Sequence, residues 1–184
     1  MTSHEHPDLG RVLLSKEQIA TRISELGAQI TNDYAGRSVL LVGILKGAFV
    51  VMADLCRAIE IPVEIDFMAV SSYGSATRTS GVVRIVKDLD IDLAGRDVVL
   101  VEDIVDSGLT LRYLRKYLSA RKPASLEVCA MLVREECPPE TLASLKYVGF
   151  TLPNDWVVGY GLDTAQLWRN LPDVRSWVGT DTAS

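Results

Sequence analysis

The sequence has few cysteines, and their positions match no common disulfide or metal-binding pattern. Three cysteines occur in 184 residues, at Cys56, Cys129 and Cys137, with neither CxxC nor metal-type spacing. An odd number of scattered cysteines is typical of reduced thiols in a cytosolic protein. We therefore expect free cysteines, with Cys56 and Cys129 in apolar surroundings.

The chain also lacks an excess of positive charge and any long apolar run. Its net charge is -5 and its pI is near 5.1, which argues against nucleic acid or an anionic membrane surface as the main partner. No apolar run approaches the roughly 20 residues of a membrane helix, and no export signal is recognisable at the N-terminus. The expectation is a soluble, cytoplasmic protein that binds a small molecule.

Low-complexity tracts and internal repeats are absent from the sequence as well. Hydrophobic residues make up 48% of the 184 positions, enough for a sizeable core. The sequence therefore predicts one domain spanning residues 1–184.

Helical and strand patterns alternate along the first three quarters of the chain. Ser15 and Gln18 form a potential capping box ahead of apolar residues at helical spacing, which predicts a helix. The predicted helices cover residues 15–34, 47–59 and a segment with an apolar face of Leu111, Leu114 and Leu118; the predicted strands cover 38–45, 63–73, 82–89, 98–102 and 125–133.

This alternation, with strands that are apolar throughout, indicates an α/β fold with a central, mainly parallel sheet flanked by helices. Strand 98–102 is expected in the centre, with its following loop at the carboxyl edge, where ligands bind in such folds. The polar segment 74–81 predicts a loop. The less regular part from about 138 to 178, together with N-terminal residues, predicts a small irregular hood over that edge.

The stretch VVLVEDIVDSGLTL, residues 98–111, combines carboxylates with a turn suited to an anion. Neither GxxxxGK[ST] nor GxGxxG occurs in the chain. A ligand with both a phosphate and a sugar reconciles the two features. Glu102 and Asp103 would accept hydrogen bonds from sugar hydroxyls, while the N–H groups of residues 106–110 and the hydroxyls of Ser107 and Thr110 would hold the phosphate.

This pattern of apolar residues, two acids, two apolar residues and Asp-Ser-Gly-x-Thr resembles the phosphoribosyl-pyrophosphate (PRPP) signature of type I phosphoribosyltransferases. The segments VGILKGAFVVMADL, IDFMAVSSYGS, VVGYGLD and WRNLP are similar to the branch of this family that acts on the 6-oxopurines hypoxanthine and guanine, over roughly residues 10–178. The resemblance implies the type I phosphoribosyltransferase fold, transfer of phosphoribose from PRPP to a 6-oxopurine, a Mg²⁺ cofactor, and a homodimer or homotetramer.

The resemblance also implies roles for individual residues in PRPP binding. Asp106 would be the general base that takes the purine N7 proton. The ribose and 5-phosphate would be bound by the loop that follows the central strand, whose members are Glu102, Asp103, Asp106, Ser107, Gly108, Leu109 and Thr110. Lys46, Gly47 and Arg169 would bind pyrophosphate, and the peptide bond before Lys46 is typically cis in the family.

Three further groups complete the implied site. Ser72 and Tyr73 would begin a flexible loop that closes over the reaction. The metal ligands would be Asp163 with Glu102 and Asp103, although Asp163 and Arg169 could instead form a surface ion pair. The purine would contact Arg134, Trp156 and Val157.

Arg134 departs from the family, which usually carries lysine there. Because a planar guanidinium and an ammonium are not interchangeable, the choice among hypoxanthine, guanine and xanthine stays open. Two alternatives remain: a transferase for another base such as adenine, and a nucleotide-binding regulatory protein on the same fold. The acidic charge balance disfavours an RNA-binding regulator.

Overall fold

The computed structural model describes residues 6–72 and 83–179, apart from the side chain of Ser72. The predicted loop 74–81 and Tyr73 lie outside this part of the chain. Within it, the elements are β1 (Leu9–Leu14), α1 (Lys16–Asp33), β2 (Val39–Leu45), α2 (Phe49–Ala58), β3 (Val63–Ser72), β4 (Val83–Lys87), β5 (Asp97–Val105), α3 (Leu109–Ser119), β6 (Ser125–Arg134), α4 (Pro139–Leu142), β7 (Tyr147–Leu152), β8 (Val157–Val158) and β9 (Val174–Trp177).

The main sheet has six strands in the order β4-β3-β2-β5-β6-β7. Strands β3, β2, β5, β6 and β7 are parallel, and β4 is antiparallel to β3. Residues of β2 and β5 contribute to buried clusters on both faces of the sheet. This confirms the predicted mainly parallel α/β sheet with β5 near its centre, and it explains why β2 and residues 98–101 of β5 are apolar throughout.

Helix α1 begins at the predicted capping box. The Gln18 N–H donates to Ser15 Oγ at 3.3 Å, and the Ser15 N–H donates to Gln18 Oε1 at 2.8 Å. The helix packs against α2 on one face of the sheet. Gly27 lies at their crossing, where a Cβ would overlap the backbone of Ala58.

Helix α3 covers the opposite face of the sheet. Its buried side chains are Leu111, Leu114 and Leu118, the three that the apolar spacing predicts. They pack in a cluster with Leu100 of β5 and Val128 of β6. The rigid packing of α3 fixes the start of this helix directly above the carboxyl end of β5.

A second, three-stranded antiparallel sheet has the order β1-β9-β8. The predicted hood boundary is wrong for residues 147–152: these form β7, which pairs in parallel with β6 in the main sheet. Pairing with β6 satisfies backbone groups that a loop at this position would leave exposed. The small sheet instead joins β8 and β9 to the N-terminal strand β1.

All three cysteines are free; Cys129 and Cys137 are buried and Cys56 is partly buried. Burial raises the pKa of the Cys129 thiol to about 12, which keeps it protonated and unreactive. Across residues 6–72 and 83–179, no helix is both long and apolar enough to cross a membrane.

Candidate active site

Two carboxylates end the buried part of β5 at the carboxyl edge of the main sheet. Glu102 is only 7% exposed, and burial, with a contribution from the Asp103 charge, raises its pKa to about 8. Burial also raises the pKa of Asp103, although the Ile104 N–H and Arg169 partly oppose this effect. Two acids held this close in a poorly solvated place favour a cationic or hydrogen-bond-donating ligand.

The loop between β5 and α3 surrounds a cavity of about 300 Å³, lined by Glu102 and residues 104–111. Gly108 precedes the first turn of α3 with φ 74°, and a Cβ at this position would overlap the side chain of Thr141. The first helical bond runs from the Arg112 N–H to the Gly108 carbonyl at 2.9 Å. The preceding N–H groups of the first turn are therefore available to an anion.

Other members of this loop lie where a ligand could reach them. The side chains of Asp106, Ser107 and Leu109 are exposed, and that of Thr110 is partly exposed. Asp106 is close enough to Arg134 for the two charges to interact. The loop thus presents a carboxylate and two hydroxyls beside the free N–H groups of the α3 turn.

Residues Lys46 and Gly47 lie beside Asp103 at the carboxyl end of β2. The Leu45-Lys46 peptide bond is cis, as the resemblance implies. A Cβ at Gly47 would overlap Asp103 Oδ2, and a Cβ at Gly161, whose φ is 96°, would overlap the Gly47 carbonyl oxygen. Glycine is needed at both positions because the Asp103 side chain and the segment around Gly161 both approach Gly47 closely.

Asp163 and Arg169 form an ion pair with 2.6 Å between Asp163 Oδ1 and Arg169 Nη2. Their side chains are 24% and 18% exposed, so the pair is more buried than a surface ion pair. Arg169 also donates to the Gly161 carbonyl at 2.7 Å. The charges of Arg169 and Asp163 both affect the pKa of Asp103. The pair therefore lies at the carboxyl edge with Lys46 and Gly47.

Arg134, at the end of β6, contacts the chain segment that leads into β8. Its Nη1 donates to the carbonyl oxygens of Pro153, at 2.7 Å, and Asp155, at 2.6 Å. Burial lowers the pKa of Arg134, and Asp106 and Asp155 oppose that effect. Its Nε and Nη2 have no hydrogen-bond partner among residues 6–72 and 83–179, and they remain free to donate to a ligand.

Trp156 and Val157 follow directly after that segment. Trp156 is 53% exposed, so much of its surface is accessible to a ligand. The Trp177 N–H donates to the Trp156 carbonyl at 2.7 Å, and Val157 faces Ser176 in the adjacent position. In an antiparallel ladder such positions alternate, so the N–H and carbonyl of Val157 point away from β9.

The predicted residues thus form two groups at one edge of the sheet. One group consists of Lys46, Gly47, Asp103, Asp163 and Arg169. The neighbouring group consists of the loop 102–110 and Arg134. Ser72 ends β3, with a side chain outside the described part, and Tyr73 lies outside it altogether. Sequence reasoning missed Gln166, whose amide oxygen accepts a hydrogen bond from Lys46 Nζ at 2.9 Å; no local motif marks it.

The carboxylates do not form a preassembled metal cage. Among the described residues, no group of three or more His, Cys, Asp or Glu side chains is arranged to hold a metal ion. Magnesium nevertheless fits this donor set, because it is commonly held by one or two carboxylates together with substrate phosphates and water. A divalent cation would stabilise the ionised forms of the buried acids, Glu102 and Asp103, whose pKa values are raised.

Comparison with known proteins identifies the family. A family model described as the phosphoribosyl transferase domain matches residues 12–165. The chain belongs to the phosphoribosyltransferase family. Curated relatives of this phosphoribosyltransferase include the hypoxanthine-guanine phosphoribosyltransferase of Mycobacterium tuberculosis, 52% identical over 94% of this chain and 86% of the relative. The hypoxanthine phosphoribosyltransferase of Escherichia coli is 47% identical over 88% of this chain and 91% of the relative.

Solved structures agree with this assignment. The crystal structure of a hypoxanthine phosphoribosyltransferase from Staphylococcus aureus matches with a TM-score of 0.88 and 43% identity, over 96% of each chain. A hypoxanthine-guanine phosphoribosyltransferase from Bacillus anthracis matches with a TM-score of 0.87 and 42% identity, over 92% of this chain and 99% of that one. The predicted type I phosphoribosyltransferase fold is therefore confirmed.

Proposed function

We propose that this enzyme transfers the 5-phosphoribosyl group from PRPP to N9 of hypoxanthine, and of guanine, and releases pyrophosphate. The products are inosine and guanosine monophosphate, so the reaction salvages purine bases. The observation that carries the proposal is the pair of anion-binding places, the α3 turn and the Lys46–Arg169 cluster, on either side of Glu102 and Asp103. PRPP has the matching order of groups, with a phosphate, a diol and a diphosphate.

The 5-phosphate of PRPP fits the first turn of α3. The N–H groups of residues 107–110 and the hydroxyls of Ser107 and Thr110 supply donors, and the helix dipole favours an anion there. Glu102 and Asp103 face the ribose side. Burial raises the pKa of Glu102 to about 8, which favours the protonated form when no cation is bound; in that form the carboxyl group can both donate to and accept from sugar hydroxyls.

The pyrophosphate leaving group fits the second place. Lys46 and Arg169 supply positive charge, and Gly47 allows the backbone to approach the phosphate oxygens closely. Asp163, Glu102 and Asp103 would hold Mg²⁺, directly or through water. When bound, the ion neutralises charge on the diphosphate and so makes it a better leaving group.

The purine fits between Trp156 and the loop after β5. The exposed indole of Trp156 offers a face for stacking, and the outward-pointing N–H and carbonyl of Val157 match the donor and acceptor groups of a 6-oxopurine edge. Arg134 has unused donors for the 6-oxo group. Asp106, exposed and near Arg134, would take the N7 proton as N9 attacks the ribose C1, which keeps the attacking ring nucleophilic.

Several expectations belong to the same proposal. Ser72 and Tyr73 begin a lid that excludes water from the oxocarbenium-like transition state. Residues 1–184 act as one domain, and the enzyme works in the cytoplasm as a homodimer or homotetramer. The support for these statements is the family resemblance of the sequence.

A substrate panel tests the proposal. Hypoxanthine, guanine, xanthine and adenine are offered separately with PRPP, with magnesium or with a chelator in excess. We expect turnover of hypoxanthine and guanine that stops when magnesium is removed. Turnover of adenine alone, or PRPP binding without turnover of any base, would overturn the assignment to 6-oxopurine salvage; the second result would favour a regulatory nucleotide-binding role.

A further inference from the structure

Gln166 connects the charged side chains around the proposed diphosphate site. Its amide oxygen accepts hydrogen bonds from Lys46 Nζ at 2.9 Å and from Arg169 Nη2 at 3.3 Å. Its backbone N–H donates to Asp163 Oδ2 at 2.8 Å. One neutral residue therefore contacts the lysine, the arginine and the aspartate of this cluster.

Lys46 depends on this contact for its orientation. Within residues 6–72 and 83–179, Gln166 Oε1 is the hydrogen-bond acceptor of Lys46 Nζ, and no carboxylate pairs with that ammonium. Arg169, in contrast, also bonds to Asp163 and to the Gly161 carbonyl. The lysine side chain is long and flexible, and a single fixed acceptor restricts it to the side of the cluster where Arg169 lies.

The loop that carries Gln166 adopts a conformation that residues with side chains rarely take. Ala165, Gln166 and Trp168 have φ values of 49°, 68° and 75°. The turn is held by backbone hydrogen bonds in both directions between Thr164 and Leu167, of 3.3 and 2.9 Å. Left-handed residues that are not glycine persist where the surroundings hold them and often mark ligand-binding loops. Here they direct the Gln166 side chain towards Lys46.

The charge of the acceptor matters for ligand binding. The Gln166 amide oxygen is bonded by both cations that we assign to the diphosphate, yet it carries no full charge. A ligand with real negative charge can displace it, because charge-assisted hydrogen bonds are stronger than neutral ones. A glutamate at this position would pair with Lys46 and Arg169 and compete with the ligand.

We propose that Gln166 is a positioning residue for the diphosphate group: it holds Lys46 and Arg169 together in the free enzyme and yields both cations to the ligand. The inference rests on the proposed function and deepens it. In this inference the absence of charge on residue 166 contributes, with the two cations, to the affinity for ligands that carry a diphosphate.

The test compares Gln166→Glu and Gln166→Met with the parent enzyme, and uses Gln29→Glu, at an exposed position of α1, as the matched control. The probes are PRPP and hypoxanthine in steady-state kinetics and magnesium pyrophosphate in calorimetry. For Gln166→Glu we expect the KM for PRPP and the Kd for pyrophosphate to rise about tenfold, with a smaller effect in about 0.5 M salt because charge pairing is screened. Gln166→Met should weaken pyrophosphate binding about threefold, through lost orientation of Lys46.

The KM for hypoxanthine should stay within about twofold in all variants, which separates positioning of the diphosphate from general disruption. A Gln166→Glu enzyme that binds pyrophosphate as tightly as the parent overturns the inference, as does unchanged binding by Gln166→Met if the glutamate variant does not fold. Failure of the proposed function is a different result: the parent would bind pyrophosphate, with the expected effects of the variants, but would not turn over any purine.

Discussion

At the scale of single residues, Arg134 shows how a departure from the family pattern can be accommodated. The guanidinium has several donors in one plane, and Nη1 alone reaches the carbonyl oxygens of both Pro153 and Asp155. The remaining donors stay free for a ligand. Arginine can therefore hold the segment before Trp156 and still contact a purine, which an ammonium at one point would do less well.

For Arg134→Lys we expect the KM for hypoxanthine to rise about tenfold, because one hydrogen bond to a charged group contributes about 1.5 to 3 kcal/mol. The KM for PRPP should remain within about twofold, since the diphosphate cluster does not include this residue. Steady-state kinetics with each substrate varied in turn measures the two KM values separately. Arg57→Lys, on the exposed side of α2, is the control. The placement of Arg134 beside the base would be contradicted if the KM for PRPP changed and the KM for hypoxanthine did not.

The residues of the site differ in how far sequence could predict them. Glu102, Asp103 and Asp106 share one short motif, and their placement at the end of a central strand follows from it. The role of Gln166 does not follow from any motif, because its partner Lys46 is 120 positions away. A glutamine in a polar turn carries no signal of its own. Local sequence patterns do not predict contacts between loops that are distant in the sequence.

At the scale of elements, β5 is longer than the apolar pattern predicts. The predicted strand ends at residue 102, whereas β5 continues to Val105. The extension is paired with β6, where Ile104 faces Leu132 and Val105 faces Val133. The acids therefore lie inside the strand, where ladder hydrogen bonds and apolar neighbours hold their backbone rigidly. Strand pairing outweighs the break in hydrophobicity.

A buried carboxylate anchors the chain between β4 and β5. Asp66 of β3 is 7% exposed and accepts hydrogen bonds from the N–H groups of Phe67, Asp90 and Ile91 at 2.7, 2.8 and 3.1 Å. Burial acts to raise its pKa, but these donors and Lys87 outweigh burial, so the pKa lies below the ordinary value of an aspartate. The ionised form of Asp66 thus stabilises the native state at neutral pH.

We expect Asp66→Asn to lower the free energy of unfolding at pH 7 by about 1 to 3 kcal/mol, because a charged acceptor of backbone N–H groups is lost. The depressed pKa makes the contribution of Asp66 complete above the unfolded pKa of about 3.9 and lost as the pH falls through the lower folded value. Urea denaturation at several pH values should therefore show the gap between variant and parent narrowing below about pH 4. An exposed-acid variant, Glu136→Gln, is the control. A gap that stays constant down to pH 2 would contradict the role of the ionised carboxylate.

At the scale of the whole molecule, the main sheet was predictable and its last strand was not. Apolar runs separated by helices predict parallel strands in the right part of the chain. Strand β7 is short, contains Gly149 and is only partly buried along most of its length. Its place is determined by distant partners: β6 on one side, and Arg22 of α1, which donates to the carbonyls of Val148 and Gly149 at 2.6 and 3.1 Å. The small sheet joins the N-terminal strand β1 to β8 and β9, and no local pattern in the sequence marks the pairing of these strands.

This arrangement explains how one edge of the molecule can hold three different groups. The main sheet supplies the carboxylates and leads into the turn proposed to bind phosphate. The loop after β2 supplies the lysine, and the segments around the small sheet supply the tryptophan and the arginine of the ion pair. Each group rests on a separate packed element. The proposed reaction needs all three to be present at the same edge.

The proposed reaction is tested most directly by measuring inosine monophosphate and pyrophosphate formed from hypoxanthine and PRPP. The parent enzyme and Asp106→Asn are compared, and the PRPP affinity of both is determined. We expect the parent to form the two products in equal amounts. For the variant we expect nearly unchanged PRPP binding and a kcat lower by about 10² to 10⁴, because a positioned general base contributes that much. An Asp106→Asn enzyme with the parent kcat, or a parent that consumes PRPP without forming the nucleotide, would contradict the proposed reaction.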